Sequence, residues 1–165
     1  MDTGSVGRIA VSATARSRAP AEVVFGLLKD GATWPRWSMF DAFELERPGT
    51  GDPLGVGAIR VFITRVSKVR EEVVEMVDGA LLSYVLLSGL PMKDYRADVG
   101  LEAMPDGSTL IHWRARFDPK IAGTGWFWRM MMTRVLRTVS QQLAAAAERA
   151  SVAPHQQTAP DGTVR

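Results

Sequence analysis

A chain of 165 residues, 46% hydrophobic and 23% charged, carries enough apolar material for one domain with its own core. It has no cysteine and only two histidines, His112 and His155, which excludes disulfides, thiolate zinc and iron–sulfur sites, a cysteine nucleophile and a histidine-rich metal site. Twenty basic against 18 acidic residues give a net charge of +2, and the two signs are mixed, as in Lys68-Val-Arg-Glu-Glu72, so no dense basic stripe marks a nucleic-acid binder. The one local excess, Arg114 to Arg137, reads as a solvated helix face, with a phosphate-binding surface as the alternative. Absence of cysteine suits a reducing, cytoplasmic setting.

No apolar run approaches the ~20 residues of a membrane span. Residues 1–7 lack the basic flank and apolar core of a secretory signal and are expected to be a flexible terminus. Arg8–Arg16 alternates Ile9, Val11, Ala13 and Ala15 with polar or small residues, the period of a strand with one apolar face. Pro20 at the first helical position and Val23, Val24, Leu27 and Leu28 at helical spacing predict a short helix to about Lys29, closed by Asp30-Gly31. Ala32-Thr-Trp-Pro-Arg-Trp37 has room for one proline-broken helical turn, and its two tryptophans need burial.

From residue 40 the period becomes two. Strands are predicted at Ala42–Arg47, Ala58–Arg65, Lys68–Val77, Leu81–Ser88, Asp94–Ala103 and Ser108–Phe117, separated by turns such as Asp78-Gly79, Gly89-Leu-Pro91 and Pro105-Asp-Gly107. Such short turns imply an antiparallel meander. A long helix from about Thr124 to Ala150 follows, with Trp128, Met132, Val135, Val139, Leu143 and Ala146 on one stripe. Residues 151–165, polar and bearing prolines, read as a disordered tail that includes His155. A seven-stranded sheet and one amphipathic helix satisfy both apolar surfaces only by packing together, an α+β architecture.

Several phrases sit in this order: Ala19-Pro-Ala-Glu-Val-Val-Phe25, Trp34-Pro-Arg-Trp37, Arg70-Glu-Glu-Val-Val74, Leu87-Ser-Gly-Leu-Pro91 with Asp94-Tyr-Arg96, and Gly123-Thr-Gly-Trp126. Together with the element order they resemble the START-like superfamily (SRPBCC, Bet v 1-like), and within it the bacterial polyketide cyclase/dehydrase-like branch, over residues 8–150. The resemblance implies a helix-grip fold: a seven-stranded antiparallel sheet wrapped around a long C-terminal helix, with two short helices after the first strand. It also implies an elongated apolar cavity holding a small hydrophobic molecule, no cofactor, and a monomer or homodimer. A few members of the branch close polyketide rings. A non-catalytic carrier or sensor of lipids or metabolites is the other reading.

A cavity cyclase folds a reactive chain so that one carbanion meets one carbonyl, and an acid–base pair assists enolisation and loss of water. Candidates are therefore side chains that strand parity aims inward. Glu71 shares its face with Val69, Val73 and Val77, and an inward carboxyl has a raised pKa unless a cation pairs with it. Arg60 is the candidate cation, although Ile59, Val61 and Ile63 compete to be the inward set of that strand. The pair can serve to order the sheet, or to act on or grip a ligand. Tyr95 is the second catalytic candidate. Tyr84 and Trp113 are expected to face the ligand as hydrogen-bond donor and stacking wall, or to be plain core. Trp37, with Trp34, can shut the entrance or cap the sheet, and Met131 and Val135 supply adaptable helix surface.

Parity places His112 on the outer face, beside Arg114 and Arg116. The Gly49–Gly57 stretch lacks the Gly-Lys-Ser/Thr ending of a phosphate loop and falls between strands, so it is read as a hairpin loop beside the cavity mouth. No Gly-x-Ser-x-Gly and no Gly-x-Gly-x-x-Gly occurs. A cavity under ~300 Å³ would count against a bound ligand.

Overall fold

Apolar residues at every second position need a sheet with one covered face, and that is what forms. The computed structural model describes residues 8–152. Strands β1 (Ile9–Ser17), β2 (Ala42–Arg47), β3 (Ile59–Ile63), β4 (Lys68–Val77), β5 (Leu81–Ser88), β6 (Met92–Ala103) and β7 (Thr109–Pro119) make one sheet in the order β1-β7-β6-β5-β4-β3-β2. Every neighbouring pair is antiparallel. Helix α1 (Ala21–Lys29) and a 3-10 helix (Gly31–Arg36) lie between β1 and β2, and α2 (Gly125–Val152) closes the chain. The seven strands, two short helices and long last helix match the sequence expectation. The predicted termini lie outside the described residues, except that α2 continues through Ser151 and Val152.

Helix ends depart in detail. Pro20 is the N-cap of α1 rather than its first residue, and its carbonyl accepts from the Val23 and Val24 N–H groups. Thr124 accepts from the Trp128 N–H through its carbonyl, but its hydroxyl turns back to donate to the Ile121 carbonyl at 2.7 Å. The hydroxyl therefore leaves the first helical N–H groups free of a side-chain cap.

The α2 helix is fastened by its C-terminal half. Ser17 Oγ donates to the Ala144 carbonyl at 2.8 Å, and the Arg18 N–H donates to Glu148 at 2.8 Å. Buried Leu136, Val139, Leu143 and Ala147 form the seam, contributing about 1.5–3 kcal/mol for each fully buried large side chain. The helix lies chiefly on β1, β7 and α1, and its first turns stand off from the β3–β5 half of the sheet. That stand-off is the cavity.

Two strands settle or correct the parity reading. On β3, where either set could face inward, Arg60 and Phe62 face the core, while Ile59 and Val61 are buried on the outer face. Ion pairs cover them from the strands on either side. Ile59 lies in register between Arg47 and Glu72, which bond at 3.1 Å, and Val61 lies between β2 and Arg70, which holds Glu46. On β4 the register with β5 shifts between Val73 and Glu75. A one-residue slip exchanges the faces of a strand. Met76 therefore packs on the core, and Val77, expected inward, is 51% exposed.

Residues 48–58 also overturn an expectation. The loop sits at the end of β3 opposite the cavity and is pinned by Gly49 N–H to Pro53 O and Thr50 N–H to Val56 O. Lys29 adds an ion pair to Asp52. It is not beside the mouth.

Candidate functional site

Tyr84, Tyr95 and Trp113 come from adjacent strands β5, β6 and β7, and Glu71 from β4 beside them. Alternation on each strand aims these side chains at the N-terminal half of α2. Met131 and Val135 face them from the helix. Between the two sides lies an almost wholly apolar cavity of about 220 Å³. This falls under the ~300 Å³ at which ordinary small-molecule pockets begin. By the size expected from sequence, the cavity counts against a bound ligand of ordinary size.

Of the residues singled out from sequence, Glu71, Tyr84, Tyr95, Trp113, Met131 and Val135 line the cavity. Trp37 and Arg60 do not. Trp34 takes the wall position instead, 4.5 Å from Phe62 between ring centroids, while Trp37 packs against it in a tilted pair at 4.8 Å and donates to Thr33 Oγ1. Residues not singled out from sequence complete the rim: Met39 and Phe40 before β2, Thr64 and Ser67 in the β3–β4 hairpin, Leu90 before β6, and Trp128 on α2. Of these, Trp128 carried a signal as the first member of the α2 stripe, and Thr64 by parity with Arg60 and Phe62.

Arg60 is fully buried behind the cavity wall, at 0% exposure. Its Nε and Nη2 both donate to Glu71 Oε1, and its Nη1 donates to the Leu28 carbonyl at 3.1 Å in the last turn of α1. Trp34 Nε1 donates to the same carbonyl at 3.2 Å. The guanidinium carbon lies 5.2–5.6 Å from the ring centroids of Phe62, Trp34 and Tyr84. A cation at a helix C-terminus inside an aromatic cage is favourable, and its delocalised charge tolerates burial better than an ammonium. Arg60 thus ties α1, the 3-10 helix and the sheet together and fixes one carboxylate oxygen.

The other oxygen is what faces the cavity. Glu71 lines it, yet among the described residues no group donates to Oε2. Burial raises the Glu71 pKa above the ordinary carboxylate range, against the opposing pull of Arg60. A carboxyl with one oxygen anchored and one aimed into an apolar space can accept a hydrogen bond from a ligand hydroxyl or take up its proton.

The phenols complete the polar set. Trp113 Nε1 donates to Tyr84 Oη at 3.3 Å, and the Tyr84 hydroxyl is in turn a hydrogen-bond partner of Tyr95. Tyr84 and Tyr95 lie 6.3 Å apart between ring centroids. Burial is the main cause that raises both phenols' pKa values, reinforced by the nearby Glu71 charge. They are the chain's only two tyrosines. A spectrophotometric titration is therefore expected to show no tyrosinate near pH 10, then both groups ionising together as the protein unfolds. A folded-state pKa above the unfolded value gives stability that is whole below pH ~10 and lost as pH rises toward the folded values. A native protein that releases one tyrosine proton near pH 10 would contradict the burial of that ring.

His112 stands on the outer face, 3.4 Å from Glu102, away from the cavity. Among the described residues no cluster of three His, Cys, Asp or Glu side chains comes together as a metal site. No described helix is long and apolar enough to cross a membrane.

Residues 8–150 match the model of the family described as polyketide cyclase / dehydrase and lipid transport. The chain belongs to that family. No curated protein matches the sequence. Solved structures with the same fold include a START superfamily protein from Mycobacterium smegmatis, with a TM-score of 0.75 at 15% identity, covering 87% of this chain and 99% of that one. A Thermobifida fusca protein solved by NMR has a TM-score of 0.68 at 24% identity, over 85% and 93% of the two chains. The protein XoxI from Bacillus cereus has a TM-score of 0.67 at 15% identity, over 90% and 99%. At these identities the likeness establishes the helix-grip fold alone. For a member of the polyketide cyclase / dehydrase and lipid transport family, a hollow between sheet and last helix is the expected place for a hydrophobic ligand.

Proposed function

We propose that residues 8–150 form one cytoplasmic domain that binds a small hydrophobic molecule, aromatic or polyketide-like, in the cavity between β4–β7 and α2, without a cofactor. The observation that carries this reading is the unpartnered Oε2 of buried Glu71 facing an otherwise apolar space. An oxygen open to the cavity gives an otherwise apolar lining one polar contact for a ligand. The matching ligand presents a hydroxyl or enol to Glu71 and a carbonyl to the Tyr84 or Tyr95 hydroxyl.

Glu71 and a phenol are then a base and an acid side by side on the sheet wall of the cavity, both able to reach one small ring. Glu71 takes the proton from the carbon or oxygen that becomes the enolate, and the phenol donates to the carbonyl oxygen as charge builds there. This is the outline of a cyclisation or dehydration. Carriage without chemistry uses the same contacts, so one variant separates the two readings. Glu71→Gln keeps the shape and one hydrogen-bonding oxygen but cannot exchange a proton at pH 7. Native mass spectrometry of the purified protein is expected to show a co-purified hydrophobic species in wild type and variant alike. If turnover of that species is lost in Glu71→Gln while its affinity is kept, the domain is an enzyme; if neither protein turns it over, it is a carrier. Absence of any bound species, together with failure to bind a two-ring aromatic such as 2-naphthol, would remove the ligand reading.

A further inference from the structure

The end of the sheet at which the cavity opens carries exposed large apolar side chains on several separate tips. Val66 in the β3–β4 hairpin is 94% exposed, Ile121 before α2 is 63% and Trp126 in its first turn is 72%. Met39, Leu87 and Met130 are exposed at the same end. The strand directions place these segments together: β2, β4 and β6 begin there, β3, β5 and β7 end there, and α2 starts there. The Lys120 N–H donates to the Pro91 carbonyl, joining the β5–β6 and β7–α2 connections directly.

Exposed cations lie among them. Arg65, Lys68, Lys93, Lys120 and Arg129 occupy the same tips against Asp41, Asp94 and Asp118, and none of the five cations makes an ion pair among the described residues. Unpaired cations such as Arg114 and Arg134 also stand elsewhere among the described residues, so what marks this end is that its cations lie among exposed large apolar side chains. The mouth therefore combines an indole, branched and thioether side chains, and uncompensated positive charge.

From this combination we infer that the mouth end docks on an anionic lipid surface. Tryptophan settles at the level of lipid headgroups, lysine and arginine reach phosphates while their stems lie along apolar neighbours, and each cation strengthens binding about five-fold. The apolar side chains project from separate segments, Trp126 and Met130 sharing one helix face, with small or polar residues such as Ser67, Ser88 and Gly123 between the segments. A fluid headgroup layer receives separate projections, whereas a rigid partner would need a matching pocket for each. A second copy of the same face would bring like charges together. The docking does not depend on what the cavity holds.

The test is co-sedimentation of the full chain with extruded vesicles of phosphatidylcholine alone and of phosphatidylcholine mixed with phosphatidylglycerol. The protein is expected to pellet with the mixed vesicles only and to be released by high salt. Trp126→Ser is expected to weaken partitioning about ten-fold, and Lys120→Glu with Arg129→Glu by about 25-fold or more. Arg137→Glu, on the exposed middle of α2, is the control and is expected to leave partitioning unchanged. All these positions are exposed, so unchanged thermal melting confirms that the variants fold. Wild type that stays in the supernatant with mixed vesicles overturns the inference, as does a Trp126→Ser variant that pellets like wild type. A wild-type dimer that Trp126→Ser converts to a monomer would assign the face to a second copy and overturn it equally.

Discussion

Arg60→Met is expected to destabilise the protein by about 3–5 kcal/mol, because it leaves the Glu71 carboxylate buried without its cation. For a chain of this size that is roughly a 10 °C fall in melting temperature. The geometry makes the loss heavier than for the surface pairs: Arg60 is fully buried, Glu71 is 5% exposed, and both Arg60 bonds converge on one oxygen. The double variant Arg60→Met/Glu71→Leu is expected to return to within about 1–2 kcal/mol of wild type, since apolar replacements of a buried pair are often neutral. A residual cost remains because Arg60 also bonds the Leu28 carbonyl, which Trp34 then holds alone.

The pH dependence has a definite sign. Burial holds the Glu71 pKa above its ordinary value, and removing Arg60 withdraws the main opposing influence and raises it further. Stability from a carboxyl with a raised folded-state pKa is whole below the unfolded value, about 4.3, and is lost as pH rises through the folded one. The gap between Arg60→Met and wild type is therefore expected to be smallest near pH 4 and largest near pH 8. Denaturant melts at the two pH values measure it. A gap below about 1 kcal/mol at pH 8, or one that does not change with pH, would show that Glu71 is not held as described.

Val135→Trp is the second large effect, this time on binding. Val135 faces the cavity, so an indole there grows into empty space and occupies the room a ring-sized ligand needs. Affinity for 2-naphthol is expected to fall at least about 100-fold, some 3 kcal/mol. Stability is expected to change by less than about 1.5 kcal/mol, because the added atoms fill a void. Leu143→Trp provides the contrast. Leu143 lies on the same helix two turns later, fully buried against packed neighbours, and overpacking there is expected to cost about 1–3 kcal/mol or more. Retained 2-naphthol binding in Val135→Trp would move the ligand site elsewhere; equal destabilisation by both variants would mean that no cavity exists in solution.

Local periodicity carried most of the fold. β6 and β7 announce themselves because Tyr95, Ala97, Val99 and Leu101, and Ile111, Trp113, Ala115 and Phe117, alternate without a break. The errors arose where alternation is not the deciding influence. Nothing in Val73-Val74-Glu75 marks the register slip that turns Val77 outward. On β3, hydrophobicity could not choose between Arg60 and the competing Ile59 and Val61; ion pairs from β2 and β4 cover those two and the guanidinium takes the core position. A charged residue becomes the better core residue only when its partners are supplied by other strands and a helix end, which no local window contains. The same limit divides the candidate site. Glu71, Tyr84, Tyr95 and Trp113 were reachable by parity, as Thr64 was on the face of Arg60 and Phe62, whereas Ser67 and Leu90 come from turns, which have no period to read.

The bulge between Leu45 and Arg47 bears on how the chain behaves in a crowded solution. β2 is the last strand of the sheet and its outward hydrogen-bonding row faces no further strand. Straight and apolar, such a row would be a template for growth by another chain. Here the kink bends the row after four paired residues, and Glu44, Glu46 and Arg47 stand along it. A second strand laid on this edge would lose register at the bend and meet charge on both sides of it. The irregularity that interrupts the β2–β3 ladder thus keeps a long antiparallel sheet from extending into its neighbours.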